Sequence, residues 1–341
     1  MIINTWDAIK KKKFHSVYLF IGNDSFLISE TMRLIEENAV MEEEKDFNYS
    51  VHDMEEVEID VAIEDAETLP FMGEKRVVML KNPYFFSSEK RKDKLEHNLK
   101  RLEQYLQQPA PYTILAIFAP YEKLDERKKI TKVLKKHAEV VDLNEFSEKE
   151  TVSWIQSVVE EEHVVIKDEA IERLMMLTGS NLMLMQNELK KLCTYVGAGG
   201  VITEELVRQL VARTLEQNIF ELMDLVMQKK RHDAMQLLYD LLKTNEEPIK
   251  ILSLLTSQFR LLLQVKQLVQ TGYSQPQIAS TLKVHPFRVK LANQKARNFR
   301  EEELASILKQ LADSDYAMKT GKMEKELVLE LFLMKLFSSN T

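Results

Sequence analysis

The first residues to test for chemistry are Gly22-Asn23-Asp24-Ser25-Phe26-Leu27, which follow the apolar run Tyr18-Leu19-Phe20-Ile21. A turn between a buried strand and a helix is where backbone amides cradle phosphate in nucleotide-binding proteins. There the sequence reads G-x-x-x-x-G-K-[ST], and the lysine neutralises the phosphate charge. Here Gly22 is present, but no lysine follows and Ser25 is not at the Mg²⁺ position. Asp24 is a sound helix N-cap, yet its charge would repel phosphate. The only Gly-Lys pair in the sequence, Gly321-Lys322, is followed by Met323 and lies far from any strand-like run. The apolar run at Thr113–Ala119 ends in Phe118-Ala119-Pro120, without paired acids to hold Mg²⁺. The chain thus keeps the position of a phosphate loop, at Gly22, Asn23 and Asp24, without its chemistry.

Other catalytic patterns are missing too. There is no G-x-S-x-G elbow and no H-E-x-x-H pair. The seven histidines (His15, His52, His97, His137, His163, His232, His285) are scattered, with no second His or Cys at metal-ligand spacing. The single cysteine, Cys193, follows Leu189 and Leu192 on a helical pattern and reads as a small packed hydrophobe. The residues imply no catalytic group, no metal and no cofactor.

Two features point to binding instead. In Thr68-Leu69-Pro70-Phe71-Met72-Gly73 an acidic helical run ends and a strand-like run starts at Arg76. Large apolar residues in so short a connector either staple the turn onto a sheet or stand out as a wedge for a partner's pocket. Burying two such side chains in a partner is worth about 3–6 kcal/mol. The second feature is the stretch from Tyr273 to Phe299. Two short helical patterns joined near Lys283–His285 resemble a helix-turn-helix, with Arg288, Lys290, Lys295 and Arg297 in or after the second. Its plainer reading is a helical hairpin with a basic rim.

The elements that must position these groups change character along the chain. Strand-like runs at Val17–Gly22, Phe47–Met54, Arg76–Leu80, Thr113–Ala119 and Glu139–Leu143 alternate with helical patterns at Asp24–Glu37, Asp60–Glu67, Glu89–Leu106 and Asp125–Lys136. Such alternation predicts βαβ units and a parallel sheet, and the continuously apolar runs predict strands covered on both faces. After Asn144 the strand signals stop. Ser147-Glu148-Lys149-Glu150 is a capping box, and three helical patterns follow, broken at Thr178-Gly179 and at Gly197–Gly200. From Thr214 onward amphipathic patterns dominate: Ile219–Met227, His232–Lys243, Pro248–Gln270, Gln275–Leu282, Pro286–Asn298, Glu301–Thr320 and Glu324–Phe337. A five-strand α/β unit followed by a small helical unit points to an AAA+-type fold.

Composition agrees with a helix-rich chain. Gly and Pro number 8 each in 341 residues, well below average usage, which disfavours β-sandwiches, propellers and long linkers. No apolar run reaches membrane-spanning length, and Met1–Lys13 lacks the apolar core of a signal peptide. With one cysteine and no disulfide framework, the chain reads as cytosolic. The net charge of −7 disfavours bulk nucleic-acid binding, but it hides asymmetry. Leu34–Glu67 holds 14 acids against one Lys, Lys81–Lys136 holds 14 bases against 7 acids, and Lys250–Arg300 holds nine bases and no acid. A local basic stripe can bind phosphate whatever the total charge.

Several segments, in order along nearly the whole chain, resemble the delta subunit family of the bacterial DNA polymerase III clamp loader, in its Gram-positive form. They are Tyr18–Leu27 (YLFIGNDSFL), Thr68–Val78 (TLPFMGEKRVV), Thr178–Leu192 (TGSNLMLMQNELKKL) and Asn218–Leu222 (NIFEL), then His285–Lys290 with Ala296-Arg297, and Asp315–Gly321 (DYAMKTG). The resemblance implies an AAA+-like domain without a working P-loop (residues 1–145), a three-helix lid domain (146–213) and a helical collar (214–341). It implies no ATP hydrolysis in this chain; polymerase activity would belong to the holoenzyme. The expected partners are the beta sliding clamp, the gamma/tau and delta-prime subunits in a hetero-pentamer, and primer-template DNA, all in the cytoplasm at the replisome. The family opens its clamp by seating a hydrophobic pair in a clamp pocket. By position that wedge falls on Leu69, Pro70, Phe71 and Met72. Pro70 interrupts the unbroken Leu-Phe pair of the enterobacterial pattern, and Leu69 is expected to accompany Phe71. Arg288, Lys290, Lys295, Arg297 and Lys319 become candidate contacts to DNA backbone or neighbouring collars. Two other readings stand beside this one. A helix-turn-helix regulator would be a homodimer with tight, sequence-dependent DNA affinity, and a P-loop-independent ATPase would bind nucleotide.

Overall fold

A computed structural model describes residues 2–88 and 95–339. The first part of the expected helix Glu89–Leu106, and part of the basic run Lys81–Lys136, fall outside the described residues. The chain divides into two compact units, one through Phe146 and one from Ser147 onward.

The first unit is built on five parallel strands: β1 (Val17–Ile21), β2 (Tyr49–Asp53), β3 (Arg76–Lys81), β4 (Thr113–Ala119) and β5 (Glu139–Asp142), in the order β2-β3-β4-β1-β5. Register is set by pairs such as Leu19↔Ile117 and Leu19↔Val140. Its helices are α1 (Ile2–Lys10), α2 (Ser25–Ala39), α3 (Lys45–Asn48), α4 (Ile59–Glu67), α5 (Leu99–Gln107) and α6 (Lys129–His137). β4 is buried at every position and β1 at all but Ile21, as their unbroken apolar runs require. On one face Val17, Leu19, Val78, Leu80, Leu115 and Ile117 pack under α4, α5 and α6. On the other, the Phe20 and Phe118 rings stack at 4.7 Å, and Trp6 Nε1 of α1 donates to Thr31 Oγ1 of α2 at 2.9 Å.

Several local expectations change: the helix read from Asp125 starts at Lys129, and residues 95–98 of the helix read as Glu89–Leu106 are not helical. The strand read as Phe47–Met54 starts at Tyr49, because Phe47 and Asn48 close the short helix α3. The N-terminal lead-in is helix α1, whose Ile2, Trp6 and Ile9 recur at helical spacing and are buried. α4 gets no side-chain cap from Glu58; instead Ile59 N–H donates to His97 Nδ1 at 3.1 Å.

The second unit opens with α7 (Glu148–Glu161), α8 (Asp168–Thr178), α9 (Leu182–Val196) and α10 (Glu204–Leu210). The Ser147–Glu150 capping box is formed as expected. A two-residue parallel pair, β6 (Val165–Ile166) with β7 (Val201–Ile202), appears where strand signals had ended. Both strands are too short to show alternation. Helices α11 (Leu215–Met227), α12 (Arg231–Lys243), α13 (Pro248–Gln270), α14 (Gln275–Leu282), α15 (Pro286–Ala296), α16 (Glu301–Lys319) and α17 (Lys325–Ser339) follow. α13 is the axis of this bundle. Its Leu255, Phe259 and Leu262 join Leu304 and Leu311 of α16 and Phe332 of α17 in one core.

Candidate functional site

The turn after β1 is the first sequence-marked site. Asp24 caps α2 by accepting from Leu27 N–H at 2.9 Å. Two further amides of the turn are used locally: Gly22 N–H donates to Ala119 O at 3.2 Å and Asp24 N–H to Leu143 O at 3.4 Å. Gly22 has φ +149°, and a Cβ there would overlap the Leu143 carbonyl and Asn144 N. The peptide following β5 therefore lies directly against the turn. At this corner the Gly22 and Asp24 amides are turned to the protein itself rather than to an anion.

The connector between α4 and β3 is the second. It is not stapled to the sheet: Leu69 is 69% exposed, Phe71 55% and Met72 85%, while Pro70 is half-buried. Thr68 ends α4, its N–H bonding Asp65 O. The turn is nevertheless held firmly. The fully buried Asn48 donates from Nδ2 to Phe71 O at 2.8 Å and accepts Phe71 N–H on Oδ1 at 2.7 Å. Gly73 passes so close beneath α3 that a Cβ would meet Glu44 and lie 2.9 Å from Asn48 Nδ2. Phe47, itself exposed, puts its ring 5.1 Å from that of Phe71. Sequence reading missed Phe47 and Asn48. They lie more than twenty residues upstream with no shared periodicity, and only an aromatic set in an acidic run could have drawn notice.

Behind the turn Asp65 ties three segments together. It accepts from Arg76 Nε at 2.8 Å, from His52 Nε2 at 2.9 Å and from Ser50 Oγ. Burial pushes this carboxyl up, but the hydrogen bonds from His52, Ser50 and Arg76 together outweigh it and hold it well below the usual carboxylate range. Arg76 also donates to Phe47 O at 2.9 Å. Ser50 and His52 both turn to Asp65, so this is a brace and not a nucleophile–base pair. Cys193 is buried, and burial pushes its thiol up, as fits a packed side chain. Among the described residues no cluster of three metal-ligating side chains occurs, and no helix is long and apolar enough to cross a membrane.

Part of the basic stretch is neutralised by acids from outside itself. α14 and α15 form the expected hairpin, turning at Lys283 with φ +52°. Lys295 pairs with Asp224 at 2.7 Å and donates to Phe220 O at 3.3 Å. Lys290 pairs with Glu148 at 2.8 Å, Lys319 with Asp315 at 2.8 Å and Lys250 with Glu246 at 3.2 Å. Arg288 is half-buried and Arg297 exposed, and neither has an ion pair among the described residues.

An all-parallel sheet in this order, with helices on both faces and a helical second unit, defines an AAA+-like subunit. Comparison with known proteins narrows it. A family model described as DNA polymerase III, delta subunit matches residues 18–144, a middle-domain model matches 147–209, and a model of the DNA polymerase III delta subunit, C-terminal domain matches 216–336. The DNA polymerase III subunit delta of Bacillus subtilis (strain 168) is 52% identical over 340 residues, covering 100% of this chain and 98% of that protein. A probable DNA polymerase III subunit delta of Aquifex aeolicus (strain VF5) is 24% identical over 260 residues, covering 75% and 72%. A solved structure of the Bacillus subtilis DNA clamp loader delta protein is similar with a TM-score of 0.81 at 52% identity, covering 99% of this chain and 100% of that one. The chain belongs to the DNA polymerase III delta subunit family. It is a clamp-loader delta subunit and works with the other loader subunits in DNA replication. None of these relatives is described as a helix-turn-helix regulator.

Proposed function

We propose that this chain binds the beta sliding clamp through Leu69, Phe71 and Met72, with Pro70 shaping the turn, and releases one interface of the ring. The ATP-driven gamma/tau and delta-prime subunits then place the opened ring on primer-template DNA. The chain does this without hydrolysing ATP, in the cytoplasm at the replisome. One observation carries the reading: in a member of this family, the exposed apolar tip at the end of α4 is clasped by its own main chain to the fully buried Asn48. An apolar tip left in water yet held rigid loses little conformational freedom on docking, so its burial goes into binding. A pocket that fits the tip better in the open ring shifts the ring equilibrium by that difference in affinity.

We assign residues 1–145 to the clamp-engaging AAA+-like domain, 146–213 to the lid and 214–341 to the collar. Arg288 and Arg297 are the basic residues best placed to meet DNA backbone or a neighbouring collar, since Lys290, Lys295 and Lys319 are already paired within the chain. The test is nucleotide-free binding of the purified chain to the sliding clamp of the same replication machinery, beside a Leu69→Ala/Phe71→Ala variant. The exposed parts of the two side chains are worth about 2–3 kcal/mol on burial, so the variant should bind about 30- to 150-fold more weakly. Undiminished binding by the variant would overturn the site.

A further inference from the structure

We propose that the clamp-engaging surface has two segments: Phe47 is a contact residue beside Leu69, Phe71 and Met72, and Asn48 is the positioning residue that aims Phe71. This rests on the reading above that the α4–β3 turn engages the clamp.

The chemistry of Phe47 is the first argument. It is 57% exposed, although the strand it precedes leads straight into the sheet. Its ring lies 5.1 Å from the Phe71 ring at an interplanar angle of 50°. Two exposed aromatics in that arrangement form one apolar surface, and a pocket that accepts Phe71 must also meet Phe47. Met41, 63% exposed at the entry to the same acidic segment, is a further large apolar residue left in water there.

The second argument is how the two segments are locked together. Asn48 meets one residue with both ends of its amide, bonding the N–H and the C=O of Phe71 at 2.7 and 2.8 Å. A residue held by both its N–H and its C=O has its side-chain direction fixed as in a strand pair. Arg76 completes the frame from the other side, holding Phe47 O and the Asp65 carboxylate of α4. Phe47 and Phe71 are thus anchored to the same α4–β3 corner. Met72, next to Phe71, has φ +55°, a conformation that persists in a non-glycine residue only where its surroundings dictate it. These restraints satisfy the buried Asn48 amide and at the same time give the exposed turn a fixed apolar shape.

The experiment is clamp binding by Phe47→Ala, Asn48→Ala, Phe71→Ala and the Asn48→Ala/Phe71→Ala pair, each checked for a native melting transition. Phe47→Ala should weaken binding about tenfold, equal to about 1.4 kcal/mol. Asn48→Ala should weaken it at least as much alone, but by less than twofold when Phe71 is already Ala, because a positioning residue acts through the side chain it aims. Should Asn48→Ala fail to fold, Phe47→Trp carries the test: the emission of the introduced indole should shift to the blue on adding clamp. Wild-type affinity in Phe47→Ala, an equal Asn48→Ala loss in both backgrounds, or an unshifted emission from Phe47→Trp would each overturn the inference. If Leu69→Ala/Phe71→Ala abolishes binding while Phe47→Ala does not weaken it, the inference alone fails. If Leu69→Ala/Phe71→Ala binds like the parent, the reading beneath it fails.

Discussion

His97→Ala should destabilise the first unit, and by an amount that shrinks as pH falls. The His97 ring bridges two main-chain groups. Its Nδ1 accepts Ile59 N–H at 3.1 Å, and its Nε2 lies 3.0 Å from Met54 O. An N–H can only donate and a carbonyl can only accept, so Nδ1 is bare and Nε2 carries the hydrogen: the ring is neutral. It also packs against the Tyr84 and Phe85 rings at 5.1 and 4.9 Å. Burial lowers its pKa, with the Met54 bond and the charges of Glu58 and Asp60 pulling the other way. The unfolded chain takes up this proton near pH 6.5, while the fold resists it. The contribution is therefore complete above about pH 6.5 and is lost progressively as pH falls below that value. Removing the ring forfeits two hydrogen bonds and two aromatic contacts at a partly open site, about 2–3 kcal/mol at pH 7.5. Trp6 lies in the first unit and Trp154 in the second, so a Trp154→Phe background reports the first unit alone. Urea unfolding of that protein with and without His97→Ala, from pH 7.5 to 5, measures the difference directly. A difference that stays constant with pH would refute the neutral-bridge assignment, and one under about 0.5 kcal/mol at pH 7.5 would refute the bridge.

Two further outcomes follow from the geometry. Gly22→Ala should be among the most damaging substitutions of the first unit, because a Cβ there strikes the Leu143–Asn144 peptide and φ is +149°. A loss of more than about 3 kcal/mol is expected in the same urea assay; a near-neutral effect would mean the corner can open. Lys295→Met should destabilise the helical bundle by about 1–2 kcal/mol, since Lys295 Nζ joins Asp224 and Phe220 O across helices. Trp154 fluorescence in a Trp6→Phe background reads that change. Unchanged stability with weakened DNA binding would instead make Lys295 a DNA contact.

What the sequence determined by itself was whatever rests on near neighbours. The unbroken apolar run of Thr113–Ala119 and the helices Pro248–Gln270 and Gln275–Leu282, each with a proline in its first turn, have the bounds that local pattern predicts. Asp24 and Ser147 cap their helices through atoms three residues away. The missing lysine after Gly22 was equally plain, because a phosphate loop is a contiguous stretch. Elements too short to show a period, such as Lys45–Asn48 and the Val165–Ile166 strand, were not legible.

Tertiary structure alone decided how charges and apolar groups far apart in the chain are paired. The run Lys250–Arg300 holds no acid, yet Lys290 finds Glu148 and Lys295 finds Asp224, because ion pairing depends on distance in space and not along the chain. The same holds at the α4–β3 turn. Leu69, Phe71 and Met72 read either as a staple or as a wedge, since three apolar residues in a short connector satisfy both. Asn48, 23 residues upstream, holds the Phe71 main chain with the ring left facing water, which is the arrangement the proposed wedge requires. No periodicity links an asparagine ending one helix to a phenylalanine following another; only the packing of α3 beside the α4–β3 turn brings them within hydrogen-bond reach.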